Sequence, residues 1–398
     1  MKWKISVLIC CVIHYSAHTS QNMAIKKKSS SNYEMTREKI AGKQRLLEEI
    51  NNTQLLPFNI WNMVADYLTR FVPNAPLSSS KPTSLLSVQA IDPYVACGDT
   101  EGDIHLWNIN NGTLIHQFRG HSGSTFPLTA LLHERFASGS SDKTVRIWDI
   151  PTRSCIRILK GHCSGIIGLE AHNNLLAAFT EKNRARLWNI DTGACLREFY
   201  NSNALCLSAV FTLEGLLVGD RQGNIIQWTI DGLKGSIKPK PTAYIESRCK
   251  ECICTLKRSP QGKLALSYVD LTGGASLIEI WDSNKIYLQT IHIDVDKDDC
   301  ANHMLLALAH QDTMQAVMSR MNAMTWLSEN ELALLDTTER LLVCSTVTGK
   351  ILQKFKFFKE SAPTGLAYIG DRLVVSTSDG KIIVCDRKID IAITRKKT

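Results

Sequence analysis

Apolar and polar residues alternate in short runs that recur along most of the chain, in "DIHLWNI", "TVRIWDI", "RARLWNI" and "NIIQWTI". A period of two sends successive side chains to opposite faces of an extended strand, so each run predicts a half-buried β-strand. The tryptophans of these runs, Trp107, Trp148, Trp188 and Trp228, stand 41, 40 and 40 residues apart. Gly112, Gly193 and Gly349 each follow a tryptophan-like position by five residues, where a tight hairpin needs positive φ. Carrying the frame forward finds weaker copies. Trp281-Asp282 closes "SLIEIWD" 53 residues on, and Cys344 and Cys385, 41 apart, take the tryptophan's place in "RLLVCSTVTGK" and "KIIVCDRK". Seven units result, beginning near Leu85, Leu128, Ile166, Leu205, Cys252, Met321 and Ala362.

A repeat of about 40–45 residues built from four strands is the spacing of a β-propeller blade. On these residues the chain resembles the WD-repeat propellers over 85–395. The resemblance implies an all-β, seven-bladed ring, here with a short α-helical N-terminal segment and one helical insertion. The last unit ends in "DIAITR", which could supply its own outer strand. The family's usual device lends an N-terminal strand to the last blade instead, and the sequence leaves both closures open.

The same resemblance implies a hydrogen-bonded chain in each blade, running from Trp to Ser/Thr to His to Asp. Trp148, Ser138, His121 and Asp142 match it in the second unit. A buried indole N–H needs an acceptor, and a hydroxyl can accept it while donating onward to imidazole. The competing reading is a Ser-His-Asp catalytic triad, but the repeat itself places these residues and would bury the hydroxyl. The other units are degraded: the third has His162 and Trp188 but Ala178 and Lys182 where serine and aspartate belong, and the first has Cys97 and Glu101.

Composition suits a large globular fold, with 44% apolar and 21% charged residues. The net charge of +8 gathers partly at the two ends, in "IKKK" and "RKKT". Without a basic patch interleaved with aromatics, nucleic-acid binding is set aside. Residues 1–22, "MKWKISVLICCVIHYSAHTSQN", read as a signal peptide with a poor cleavage site; a start at Met23 is the alternative. No membrane span remains once that signal is removed. Of thirteen cysteines, eleven remain after residues 1–22, an odd number spread through strands rather than a disulfide framework. A signal together with a reduced body would suit export from a bacterium into another cell's cytoplasm, to bind a host or envelope component. Without a signal the chain would be cytoplasmic.

Metal patterns are thin. Cys249-x-x-Cys252 and Cys300-x-x-His303 offer four zinc ligands, but the gap between them is long and Cys252 fits a strand. The calcium-like opening "DVDKDD" has Asp299 where glycine belongs and Leu305 where glutamate belongs. No cofactor is expected. Residues 294–320 contain neither Gly nor Pro and predict a helical insertion.

Ahead of the repeats, 23–54 read as a basic linker and charged helix and 70–84 as a second linker. Between them, Leu56, Pro57, Ile60, Trp61, Val64, Tyr67 and Leu68 give residues 55–69 an apolar helical face. That stretch resembles the first helix of an F-box, which implies a cullin-ligase adaptor as partner; docking on the propeller is the other reading. The expected role is a non-enzymatic scaffold, with Phe126, Lys182, Arg221 and Asp379 as loop contacts for a protein or peptide. A propeller enzyme is the competing class, and the sequence has no G-x-S-x-G elbow or phosphate loop to support it.

Overall fold

The computed structural model describes residues 69–73, 77–78, 83–182, 184–200, 206–220, 223–228, 243–246, 252–269, 276–293, 323–335, 340–356 and 363–389. Within them the chain forms seven antiparallel four-stranded meanders. Blade 1 runs through Leu85–Ile91, Tyr94–Asp99, Ile104–Asn108 and Thr113–Phe118. Blade 2 comprises Thr125–Leu131, Arg135–Ser140, Val145–Asp149 and Ser154–Leu159. Blade 3 is built from Ile166–His172, Leu175–Thr180, Arg184–Asn189 and Cys195–Tyr200. Cys206–Thr212, Gly215–Asp220, Asn224–Trp228 and Ala243–Glu246 make blade 4. Blade 5 has Cys252–Arg258, Leu264–Val269, Ser276–Trp281 and Tyr287–Ile293. Blade 6 has Met324–Ser328, Glu331–Leu335, Arg340–Ser345 and Ile351–Lys356.

Blade 7 decides the closure. Its first three strands are Pro363–Ile369, Arg372–Thr377 and Lys381–Ile389. Its outer strand is Thr69–Pro73, antiparallel to the third from Thr69↔Ile389 to Pro73↔Cys385, and Leu77–Ser78 pairs further along at Ile382 and Lys381. The expected linker over 70–84 is thus corrected at 70–73 and 77–78, which hydrogen-bond into the ring. A long-range pairing of this kind leaves no local signature, which is why the hydropathy pattern missed it. The inner strands touch in one unbroken cycle, and that of blade 7 meets that of blade 1.

The repeat frame explains the local geometry. Gly112, Gly193 and Gly349 adopt φ of 69°, 72° and 69°, and each amide closes its turn on the carbonyl four residues back at 2.8–3.0 Å. Where Trp148 stands opposite Phe136 in blade 2, Cys344 stands opposite Leu332 and Cys385 opposite Leu373 in the degraded blades. Irregular register at the start of six inner strands, such as Ile166/Gly168, adds local twist to each blade.

The core lies between blades rather than within them. Phe118 of blade 1 packs with Phe136 and Trp148 of blade 2, and Ile147 of blade 2 with Leu176 and Trp188 of blade 3. Ile382 and Val384 of blade 7 pack with Val95 and Trp107 of blade 1. The contact is close enough to dictate glycine: a Cβ on Gly139 would sit 2.5 Å from Ile166 Cγ2 in the next blade.

No helix occurs among the described residues. The insertion at 294–320, residues 55–68 of the F-box-like stretch, the signal, the charged helix and "DIAITR" lie outside them; Thr69 begins a strand.

The closure makes a direct prediction. A chain beginning at residue 66 keeps the outer strand of blade 7, whereas one beginning at residue 79 loses it. The shorter chain should melt at least ~4 °C lower, since each kcal/mol lost shifts a domain of this size by about 2–4 °C. Equal melting temperatures would show that the strand contributes nothing to closure.

Candidate functional site

An antiparallel meander returns to the same side with every second turn. The turns between second and third strands, and the links from each outer strand to the next blade, therefore share one face. From that face inward blade 2 assembles the four residues singled out by the repeat, His121 and Asp142 in its link and turn and Ser138 and Trp148 buried in its second and third strands.

Gly120 and His121 lie in the link before Thr125–Leu131, and Asp142 in the turn before Val145–Asp149. A Cβ on Gly120 would stand 2.5 Å from Arg146 Nη1, whose guanidinium lies 5.9 Å over the Trp148 ring. The glycine of the Gly-His pair thus makes room for a cation above the indole. Trp148 Nε1–H donates to Ser138 Oγ at 2.7 Å, and Ser138 Oγ lies 2.7 Å from His121 Nε2. His121 Nδ1 lies 2.8 Å from Asp142 Oδ2. In a neutral imidazole, Nδ1–H donates to the carboxylate and Nε2 accepts from the serine. Thr144 donates both its amide and its hydroxyl to Asp142 Oδ1, at 2.9 and 2.7 Å.

Electrostatics agree with that protonation. Burial pushes His121 below the ordinary imidazole range despite the opposing effect of the hydrogen bond it donates to Asp142. Burial alone would raise Asp142, but hydrogen bonds from Thr144 and His121 hold it below the usual carboxylate range. Ser138 is wholly buried. Its lone pair serves the indole and its proton the imidazole, so no attacking hydroxyl faces solvent.

Blade 3 shows what the missing residues cost. Ala178 occupies the serine position, and both His162 Nε2 and Trp188 Nε1 are buried without a hydrogen-bond partner. Burial and the nearby Arg186 charge push His162 down to about 4, so it stays neutral. Blades 1 and 5 use a device that the sequence reading missed. In blade 1, His105, two residues before Trp107, lies 3.0 Å from the buried carboxylate of Asp99. In blade 5, Glu279, two residues before Trp281, accepts from Trp281 Nε1 at 3.0 Å and from Tyr268 Oη at 2.9 Å. A charged residue at an alternating position was the available signal, but only the cross-strand register shows what it meets.

The loop candidates separate. Lys182 is exposed in its turn on this face. Asp379 is in the corresponding turn of blade 7, held by Thr377 Oγ1 at 2.5 Å and Lys381 Nζ at 2.6 Å. Phe126 was expected in a loop but is the second residue of a strand, 8% exposed and lining the axial channel. The irregular pairing between Thr125 and Leu128 extends that strand three residues beyond its predicted start at Leu128.

Arg221, Leu56, Pro57, Ile60, Trp61, Val64, Tyr67 and Leu68 lie outside the described residues, as do Cys249, Cys300 and His303. Among the described residues no group of three His, Cys, Asp or Glu is placed to hold a metal. The cysteines in the tryptophan positions are inert packing groups, since burial pushes both Cys344 and Cys385 up to about 12.

Two substitutions test the polar chain. Asp142→Ala leaves His121 Nδ1 without its acceptor and should cost about 1–3 kcal/mol in chemical denaturation; an unchanged midpoint would refute the assignment. Ala178→Ser supplies an acceptor for Trp188 and a donor for His162, and should gain about 1 kcal/mol. A destabilised Ala178→Ser protein would mean that the site lacks room for the hydroxyl.

Comparison with known proteins agrees with this geometry. The family model described as WD domain, G-beta repeat matches residues 112–149, from the glycine turn of blade 1 to the third strand of blade 2. Cell division control protein 4 of Saccharomyces cerevisiae is 32% identical over 109 residues, 27% of this chain and 14% of that protein. E3 ubiquitin-protein ligase COP1 of Arabidopsis thaliana is 28% identical over 99 residues, 24% and 15% of the two chains. Nuclear distribution protein PAC1 of Fusarium vanettenii is 30% identical over 148 residues, a third of each. The chain thus spans between 14% and 33% of the length of these relatives. With seven four-stranded blades closed in a ring, the chain has the fold of a seven-bladed β-propeller, and its best-preserved blade is similar to the WD-domain repeat.

Proposed function

We propose that this protein is a non-enzymatic interaction scaffold that presents the loop face of its ring to a protein or peptide partner. The observation that carries the reading is how the polar groups of that face are used. The groups of the would-be triad are consumed internally, with Ser138 bonded to Trp148 and His121 and Asp142 bonded to His121 and Thr144. Lys143, Lys160 and Lys182 stand exposed around blades 2 and 3, and among the described residues their ammonium groups have no hydrogen bond or ion pair. Rigid strands with free charged loops suit recognition rather than turnover.

A finer reading makes the chain a substrate receptor for a ubiquitin ligase. It is supported by the F-box-like spacing of Leu56, Pro57, Ile60, Trp61, Val64, Tyr67 and Leu68 ahead of the ring, and by similarity to a relative named as an E3 ubiquitin-protein ligase. An amphipathic helix binds by laying its apolar face in a groove, where a central aromatic carries much of the energy. Titrating the purified cullin-ligase adaptor should give a Kd of tens of micromolar or tighter (about −6 kcal/mol). Trp61→Ala should weaken it by at least about 2 kcal/mol with the melting temperature unchanged. A lower melting temperature for Trp61→Ala, with no adaptor binding by the parent, would assign the helix to docking on the propeller.

A further inference from the structure

The inner strands enclose an axial channel with a cavity of about 600 Å³. Two opposite charges line it. Glu170 on Ile166–His172 pairs in register with Ala177, and Lys257 on Cys252–Arg258 pairs with Ala265. Each of these partners follows by one residue the position opposite its blade's tryptophan, so the two charges sit at the same level, two blades apart. They do not touch: neither the Glu170 carboxyl nor the Lys257 ammonium has a hydrogen bond or ion pair among the described residues. The walls also carry Phe126, Trp326 and Tyr368, and Ser87 Oγ is buried there without a partner.

A carboxyl and an ammonium facing one cavity, with no ion pair formed between them, match a ligand that carries both charges. We propose that the axial channel is a binding site for a small zwitterion of the amino-acid class, its ammonium on Glu170 and its carboxylate on Lys257. Neither charge alone would engage both wall groups, so a ligand with one charge would make only one of the two ion pairs. Aromatic walls favour a short apolar spacer between the two ends.

The acid itself supports the assignment. Burial lifts Glu170 to about 7, and the Lys257 charge offsets this only in part. A ligand ammonium would favour the ionised form, so binding should tighten as pH rises from 6 to 8. The other titratable or charged groups lining the channel are His172 and Arg258, next to these residues on the same strands, and Tyr368 on blade 7. Burial lifts Tyr368 to about 12, so it stays neutral across that range.

Isothermal titration of the full chain with γ-aminobutyrate, butylamine and butyrate tests the site. A ligand this small should bind at roughly millimolar Kd. The zwitterion should saturate one site at least tenfold more tightly than either singly charged analogue. Glu170→Gln and Lys257→Met should each weaken it at least tenfold while melting as the parent does. Thermal melts with and without the zwitterion supply a second readout if a variant is less stable. The proposal is overturned if the parent shows no saturation at about 10 mM and pH 8, if butylamine or butyrate matches the zwitterion, or if both variants bind like the parent.

Discussion

Everything in this molecule depends on the burial of one blade against the next. A four-stranded blade has two faces, and its apolar residues are covered only when a neighbour lies on each. Phe118, Phe136 and Trp148 form one such seam, and Val95, Trp107, Ile382 and Val384 form the seam that joins the ends of the ring. Apolar burial contributes roughly 25 cal/mol per Å², so leaving even one seam open would expose several large side chains at once. Closure is therefore a condition of stability. The strand Thr69–Pro73 meets it by tying the start of the ring to its last blade.

The second constraint follows from the first. Putting tryptophan in a seam buries an indole N–H, and the blades answer this in several ways. Blade 2 uses the Ser138–His121–Asp142 chain, and blade 5 uses Glu279. Blades 6 and 7 avoid the need by placing Cys344 and Cys385 there, while blades 3 and 4 leave Trp188 and Trp228 without a hydrogen bond. The ring tolerates this unevenness because apolar packing is shared among all seven seams. A polar chain in one blade affects mainly that blade's own seams.

Function divides along the same geometry. Strand interiors are committed to packing, so the two surfaces proposed to meet other molecules are the loops of one face and the walls of the channel. The lysines of blades 2 and 3 belong to the first surface, Glu170 and Lys257 to the second. Both surfaces gain precision from the rigidity of the strands that carry them.

The sequence by itself determined the period, the strand alternation, the number of blades and the residues of the complete polar chain. These properties are local: Trp148, Ser138 and Asp142 lie within eleven residues of one another, and the glycine turns repeat at a constant offset. Only the tertiary structure decided what is not local. The pairing of Thr69–Pro73 with Lys381–Ile389 joins segments some 300 residues apart, beyond any periodic signal. Asp99 with His105 and Tyr268 with Glu279 meet across strands, where register rather than spacing selects the partner. Glu170 and Lys257 share a cavity because ring closure turns the inner strands of separate blades toward one axis.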